Sequence, residues 1–427
     1  MAAVARRVVF TGHGALTPVG LDIDTFFTAL CQRKSGIGRF TYADTSALIC
    51  QVGGELPDFK PNNFTTNKDH RKSLSKMMAR TVQMGFVVSH LAFNDSGLKI
   101  GQLDPDRGGV EFGAGMVASE LDDLGRASRV SMTGDQGPVS QGIWGEGGIK
   151  EIPPLWMLKY LPNMPSCHTS ITLDLRGPSN TMTQSDAASL MALGEAYRIL
   201  QRDVADVFVV GGTESKMNPL SMTRHNLFQS LSRRNDEPEK AHRPFDRDRD
   251  GSVLGEVAAA FILEDLEHAK RRGATIHAEL ASFACGFDRA RDGVLMAKLM
   301  RTALQRAGAK ADEVDHVNAQ GLATVVADRW EAKAIHDVFG PKVPVWAMKG
   351  NIGTSGAAAG AIEVLGSVLA LSRGQLPPTL NCDNIAPDCP IHVHTDGVRP
   401  VTKPYVVKLN FTDRGQVGVA VLKRWEG

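Results

Sequence analysis

The chain has 427 residues, 42% hydrophobic and 22% charged, and its formal net charge at pH 7 is +1. This length favours two or three domain-sized units with a large core, and the balanced charge gives no indication of a nucleic-acid partner. The six cysteines form no C-x-x-C pair, which is typical of reduced thiols. The opening segment has too short an apolar stretch for a secretory signal, and no run approaches about 18 apolar residues, so we expect a cytoplasmic protein without a membrane span.

Short apolar runs alternate with helical patterns along the chain. Residues 8–10 are predicted to form a buried strand that ends in a turn at Gly12, and residues 206–210 a strand that ends at Gly211. Between them, residues 187–201 carry apolar side chains on more than one face, which predicts a mostly buried helix. Further strands are predicted at 314–317, 343–346 and 405–409. The alternation indicates an α/β protein with buried, largely parallel sheets.

Two patterns suggest metal ligands, and neither is complete. The segment FDRDRDGSVLGE begins like a calcium loop at Asp246, but Val257 occupies the twelfth position, where such a loop needs a bidentate carboxylate. We therefore predict a buried charged turn. His392 and His394 are the only closely spaced histidines. Their spacing predicts that both side chains lie on the same face of a surface strand. The sequence thus predicts no metal site, and we expect no cofactor.

Ser185 and Asp186 come directly before the predicted buried helix. A helix N-terminus has unsatisfied N–H groups and a partial positive charge, and reactive thiolates are often placed there. Here the position holds a carboxylate. From the residues alone, Asp186 is either a cap or first-turn carboxylate stabilised by the helix, or part of a site.

Seven segments in order resemble the elongating β-ketoacyl-acyl-carrier-protein synthases, or ketosynthases. They are VVFTGHGALTPVG, GPSNTMTQSDAASLMALGEA, VVGGTES, LSRRNDEPEKAHRPFDRDRDGSVLGE, HVNAQGLATVVADRWE, MKGNIGTSGAAAGAIE and KLNFTDRGQVGVAVL. The resemblance covers about residues 6–424. It implies a thiolase-like αβαβα five-layer sandwich with two similar halves, 1–268 and 269–427, and a dimer formed through the first half.

The same resemblance implies a catalytic cysteine and two histidines, and this chain has none of the three. The nucleophile position is Asp186, and the histidine positions are Gln320 and Thr354. A carboxylate is a weak nucleophile toward a thioester, while glutamine and threonine do not shuttle protons near neutral pH. Together, the three changes predict a pseudoenzyme that has lost condensation.

Other pocket positions differ from the family or persist. In the family two threonines line the phosphopantetheine tunnel; here the first is Leu322, and only Thr324 remains. At the family's phenylalanine gate stand Asp413 and Arg414, which we expect to make a polar mouth, with Arg414 paired to Asp413 or Asp186. Two further family residues, Lys349 and Glu363, persist. We expect Lys349 to neutralise Asp186 if the pocket closes around them.

The resemblance implies three functions, which the sequence leaves open. The leading hypothesis is a non-condensing homologue similar to chain-length-factor subunits, which shapes the acyl tunnel of an active ketosynthase partner in fatty-acid or type II polyketide biosynthesis. An acyl carrier protein with a phosphopantetheine-linked acyl chain is the second expected partner. The alternatives are an acyl-thioester enzyme with altered chemistry centred on Asp186, and a homodimeric acyl-binding scaffold.

Overall fold

The computed structural model describes residues 6–427, and the first five residues of the opening segment lie outside the described residues. The strands are β1 Val8–Leu16, β2 Ile37–Arg39, β3 Val52–Gly54, β4 Gly108–Ala114, β5 Ser179–Met182, β6 Val207–Ser215, β7 Leu254–Asp265, β8 Ala278–Phe287, β9 Val314–Asn318, β10 Pro344–Trp346, β11 Gln375–Leu376, β12 His392–Val393, β13 Arg399–Pro400, β14 Tyr405–Phe411 and β15 Gln416–Arg424. The helices are α1 Ile23–Cys31, α2 Lys68–Met77, α3 Arg80–Asp95, α4 Leu121–Val130, α5 Gln141–Glu146, α6 Met164–Leu173, α7 Ala188–Gln201, α8 Pro219–Phe228, α9 Leu266–Arg271, α10 Val294–Ala307, α11 Val325–Phe339, α12 Lys349–Ile352 and α13 Ala359–Arg373.

The main sheet runs in the order β12-β10-β9-β14-β15-β8-β1-β7-β6-β4-β5. Its two ends are parallel, but β6, β7 and β1, and likewise β8, β15 and β14, pair antiparallel. The expectation of largely parallel sheets is therefore wrong for the centre. There, β14 and β15 are joined by the short turn 412–415, and β6 and β7 by the longer segment 216–253, which contains α8. Antiparallel neighbours can be joined by connections of either kind, because only parallel neighbours require a crossover. β1 and β8 pair only over Val8–Phe10, so this short stretch joins two sheets.

Helices lie between and outside these two sheets. α7 and α13 pack against each other and form the central apolar core with residues of β7, β8 and β14. α3 covers the outer face of the β4–β6–β7 sheet, and α10 and α11 cover the other outer face. This is the αβαβα sandwich. The segment 356–373, which includes α13, is long and apolar enough to cross a membrane, but 89% of that window is buried inside the fold.

Two strands continue through glycines that the sequence suggests are turns. β1 runs on to Leu16 and β6 to Ser215. A side chain at Gly12 or Gly14 would collide with the backbone of α3, and one at Gly212 would collide with Ser189 and Ala358. These glycines thus permit close packing of helices on the sheet instead of ending the strands.

The two incomplete metal patterns have structural explanations. Asp246 is buried, lies 3.1 Å from Arg243 Nε and accepts backbone N–H groups from three residues. The predicted buried charged turn is thus confirmed at its first carboxylate, whereas Asp248 and Asp250 are exposed. The expectation for the histidine pair is wrong. β12 ends at Val393, and His392 is exposed while His394 is buried.

Candidate active-site pocket

The carboxylate of Asp186 stands at the start of α7 without capping it. A 3₁₀ turn over Ser185–Ala187 leads into α7, and the side chain of Asp186 makes no capping hydrogen bond. Instead, Ser185 Oγ donates to its Oδ2 at 3.2 Å, and Thr354 Oγ1 donates to its Oδ1 at 3.5 Å. Ser185 has a φ of 46°, a left-handed conformation that a non-glycine residue adopts at a cost and that clusters at functional sites. Asp186 is therefore not a cap, but it is the first-turn carboxylate that the sequence offered as the other possibility.

A cavity of about 410 Å³ opens beside Asp186. Three of the four residues predicted as pocket or gate positions line it, namely Leu322, Thr324 and Asp413, and so does Thr354, predicted at the second histidine position. Thr324 has a second role, since its hydroxyl accepts the N–H of Ala327 and caps α11. The rim includes Phe228, whose surface is 81% exposed, and Val325, at 50%. The cavity thus has an apolar mouth and a polar end.

Sequence reasoning missed Lys216, which lines the same cavity. The residue is only 3% exposed, yet its ammonium group has no hydrogen-bond or ion-pair partner within residues 6–427. Next to it, burial raises the pKa of Glu214, and the charge of Lys216 partly opposes that rise. The signal that could have found Lys216 is its position in the fold. Lys216 follows β6, which runs parallel to β4, and sites commonly lie at the carboxyl ends of parallel strands.

Gln320, predicted at the first histidine position, lies outside the cavity wall and is fully buried. The side-chain Oε1 of Gln320 accepts the backbone N–H of Phe411 at 2.6 Å. The backbone N–H of Gln320 donates to Glu331 Oε1 at 2.5 Å. Its Nε2 has no partner within the described part of the chain. The side chain is therefore held by β14 and is not presented to the cavity.

Lys349 and Glu363 belong to a buried charge cluster behind the cavity. Lys349 Nζ contacts Glu363 Oε1 and donates to the carbonyl of Gln320 at 2.7 Å, while Lys408 Nζ lies 2.8 Å from Glu363 Oε2. Burial opposes the charged form of Glu363, but the two lysines outweigh it and hold the pKa of Glu363 below its ordinary value. The expectation that Lys349 neutralises Asp186 is wrong, because Glu363 holds it elsewhere.

The Asp413–Arg414 pair does not close the mouth. Arg414 Nε lies 3.8 Å from Asp413 Oδ2, and both side chains are more than four-fifths exposed. Of the two partners that the sequence left open for Arg414, the structure thus gives Asp413 and not Asp186. An exposed pair at this distance contributes little to stability. It therefore does not hold the mouth of the cavity shut.

Comparisons with known proteins agree with this architecture. The family model for the beta-ketoacyl synthase N-terminal domain matches residues 5–269, and that for the C-terminal domain matches residues 278–383. The chain is 34% identical over 428 residues to 3-oxoacyl-[acyl-carrier-protein] synthase 2 of Coxiella burnetii, covering 98% of this chain and 99% of the relative.

Solved structures show the same similarity. A beta-ketoacyl synthase from Burkholderia phymatum STM815 superposes with a TM-score of 0.87 at 28% identity, and the ishigamide ketosynthase/chain length factor superposes with 0.85 at 26%. Both alignments cover 99% of this chain and 100% of the other. The fold is thus that of the thiolase-like ketosynthases, and the chain belongs to the beta-ketoacyl synthase family.

Proposed function

We propose that this chain is a non-condensing ketosynthase homologue that pairs with an active ketosynthase in the cytoplasm and shapes its acyl tunnel. The pathway is fatty-acid or type II polyketide biosynthesis, and an acyl carrier protein delivers the acyl chain. The division into halves 1–268 and 269–427 is part of this proposal. A relative whose name includes the acyl carrier protein and a structural neighbour that is a ketosynthase/chain length factor support these partner classes.

One observation carries the proposal. The nucleophile position presents a carboxylate to the cavity, Thr354 is the only former histidine position on the wall, and Gln320 is turned into the core. Condensation needs an attacking thiolate and groups that stabilise charge on the reacting carbonyl. Asp186, Thr354 and Gln320 supply no thiolate and no imidazole.

Exposed apolar side chains and an open strand edge support the partner. Between β4 and β5 the chain exposes five large apolar side chains, each at least 56% accessible: Met116, Ile149, Leu155, Met157 and Ile171. α6, which carries Ile171, packs beside β5, the terminal strand of the sheet. An open strand edge next to an exposed apolar side chain is typical of a protein interface. We assign the edge of β5 and the neighbouring Ile171 to the active ketosynthase, with a second copy of this chain as the competing outcome.

The test is affinity purification of the tagged chain from its native organism, followed by native mass spectrometry. We expect a 1:1 complex with a cysteine-bearing ketosynthase. Ile171→Asp should abolish the complex because it places a charge beside the edge of β5, whereas Val294→Asp, an exposed apolar position on α10, should leave it intact. Recovery of homodimer alone would contradict the pairing and favour the acyl-binding scaffold.

The open cavity favours a second candidate, an acyl-thioester enzyme centred on Asp186. A half-buried carboxylate, the Thr354 hydroxyl and the Lys216 ammonium line one accessible cavity, a combination suited to acid–base chemistry on a thioester. Hydrolysis of an acyl-carrier thioester by the purified chain measures this directly. The candidate fails if no hydrolysis occurs, or if Asp186→Ala hydrolyses the thioester as fast as the unmodified chain.

A further inference from the structure

Two histidines and a carboxylate that are distant in the sequence meet in a crevice between β1 and β8. His13 is in β1, Asp95 is the last residue of α3, and His277 directly precedes β8. β8 pairs with β1 only as far as Phe10, and the N–H of His277 donates to Phe10 O at 2.9 Å. Where the strands separate, the edge of β1 is uncovered, and the backbone N–H of His13 donates to Asp95 Oδ2 at 3.0 Å.

The side chains come together on rigid supports. One potential ligand atom from each of the three residues lies within 4.8 Å of the others. His13 Nδ1 is 2.8 Å from Asp95 Oδ2, and the two imidazole rings lie 4.4 Å apart between centroids with an interplanar angle of 27°. β1 is buried along most of its length, and α3 packs closely on it, so two of the three ligands have fixed backbones.

The chain satisfies the two imidazole rings differently. His13 Nδ1 is buried and contacts Asp95 Oδ2 at 2.8 Å, although the angle of approach does not meet hydrogen-bond geometry. The ring of His277 is partly exposed and has no hydrogen-bond or ion-pair partner within residues 6–427. Imidazole nitrogens are the commonest metal ligands in proteins, and here an unpaired imidazole stands beside a histidine–carboxylate pair.

We propose that His13, Asp95 and His277 form a binding site for a divalent transition-metal ion of the Zn²⁺ class. Two imidazole nitrogens and one carboxylate suit Zn²⁺, Co²⁺ or Ni²⁺, whereas Ca²⁺ and Mg²⁺ prefer oxygen ligands alone. Ligand atoms around tetrahedral Zn²⁺ are about 3.3 Å apart. His13 and Asp95 are already close to that separation, and the ligand atom of His277 lies within 4.8 Å of both.

The site lies apart from the cavity around Asp186 and does not depend on the proposed function. Its ligands come from the first strand, the end of α3 and the residue before β8. A bound ion therefore cross-links the two sheets at the point where β1 and β8 separate. Because an ion that binds only the folded state stabilises it by mass action, we expect the melting temperature to rise with Zn²⁺ concentration.

The experiment is calorimetric titration of chelator-treated protein with Zn²⁺, together with the visible spectrum of the Co²⁺ form. We expect one high-affinity site, a tetrahedral Co²⁺ spectrum, and a loss of affinity of about tenfold or more in His277→Ala and Asp95→Asn. His70→Ala is the matched control, because His70 and His90 form another close ring pair, 5.2 Å apart, without this carboxylate.

His277 is partly exposed, so His277→Ala should fold; its metal-free unfolding curve is compared with that of the unmodified chain. Absence of Zn²⁺ binding at micromolar concentration would overturn the site. So would binding that persists in His277→Ala but disappears in His70→Ala, because the ion would then belong to the other histidine pair.

Discussion

The charged groups on the wall of the cavity and those in the cluster behind it are paired very differently. Lys349, Glu363 and Lys408 are almost fully buried and pair with one another. On the wall, Asp186 has only two long contacts and Lys216 has none within the described residues. A buried charge without a partner is costly, and the three residues of the cluster avoid that cost by pairing. Asp186 is half-buried beside the open cavity, whereas Lys216 is only 3% exposed and has the cavity in place of a partner. The fold thus pairs the charges behind the cavity and leaves those on its wall with few contacts.

Removing the shared carboxylate of the cluster should have the largest effect. Glu363→Leu leaves Lys349 and Lys408 buried without their anion, and we expect a loss of about 3–5 kcal/mol in the free energy of unfolding. Urea denaturation measures this, and Glu363→Gln provides a milder variant. A loss below about 1 kcal/mol would show that the cluster contributes little to stability, and the contrast between the cluster and the cavity wall would fail.

A buried carboxyl group on α11, that of Asp328, should make stability depend on pH. Burial raises the pKa of Asp328 from 3.8 to about 7. The folded state therefore keeps a proton that the unfolded state releases. The stabilisation is complete below pH 3.8 and is lost as the pH rises toward 7, by at most about 1.4 kcal/mol per pH unit. Comparing Asp328→Asn with the unmodified chain across this range isolates the contribution, and identical pH profiles would refute it.

Gln320 tests whether the first histidine position now serves the core. Gln320→Leu removes the acceptor of the Phe411 N–H, and an unsatisfied buried group costs about 1–3 kcal/mol. We expect a loss of that size in chemical denaturation. An unchanged stability would mean that the side chain is free to turn toward the cavity.

At the mouth of the cavity the expected effect is smallest. Asp413→Leu replaces a side chain that is 84% exposed, so the free energy of unfolding should change by no more than about 0.5 kcal/mol. The same denaturation series includes this variant as the reference for the wall. A loss comparable to that of Glu363→Leu would remove the contrast between the two regions.

Order and composition along the chain were enough to identify the family and the elements that carry the site. The buried helix predicted at 187–201 is α7, and the strands predicted at 314–317 and 405–409 are β9 and β14. These predictions hold because apolar periodicity is a local property of the sequence. The strand ends predicted at Gly12 and Gly211 were wrong, because the sequence does not distinguish a glycine needed for close packing from a glycine in a turn.

Only the tertiary structure decided which charges meet. The sequence placed Lys349 near Asp186, but the fold gives it to Glu363; it did not indicate Lys216 or the meeting of His13, Asp95 and His277. Such contacts depend on how strands and helices from distant segments are stacked, which no local pattern records. The sequence alone shows that positions 186, 320 and 354 hold Asp, Gln and Thr. Whether each faces the cavity or the core was determined by packing.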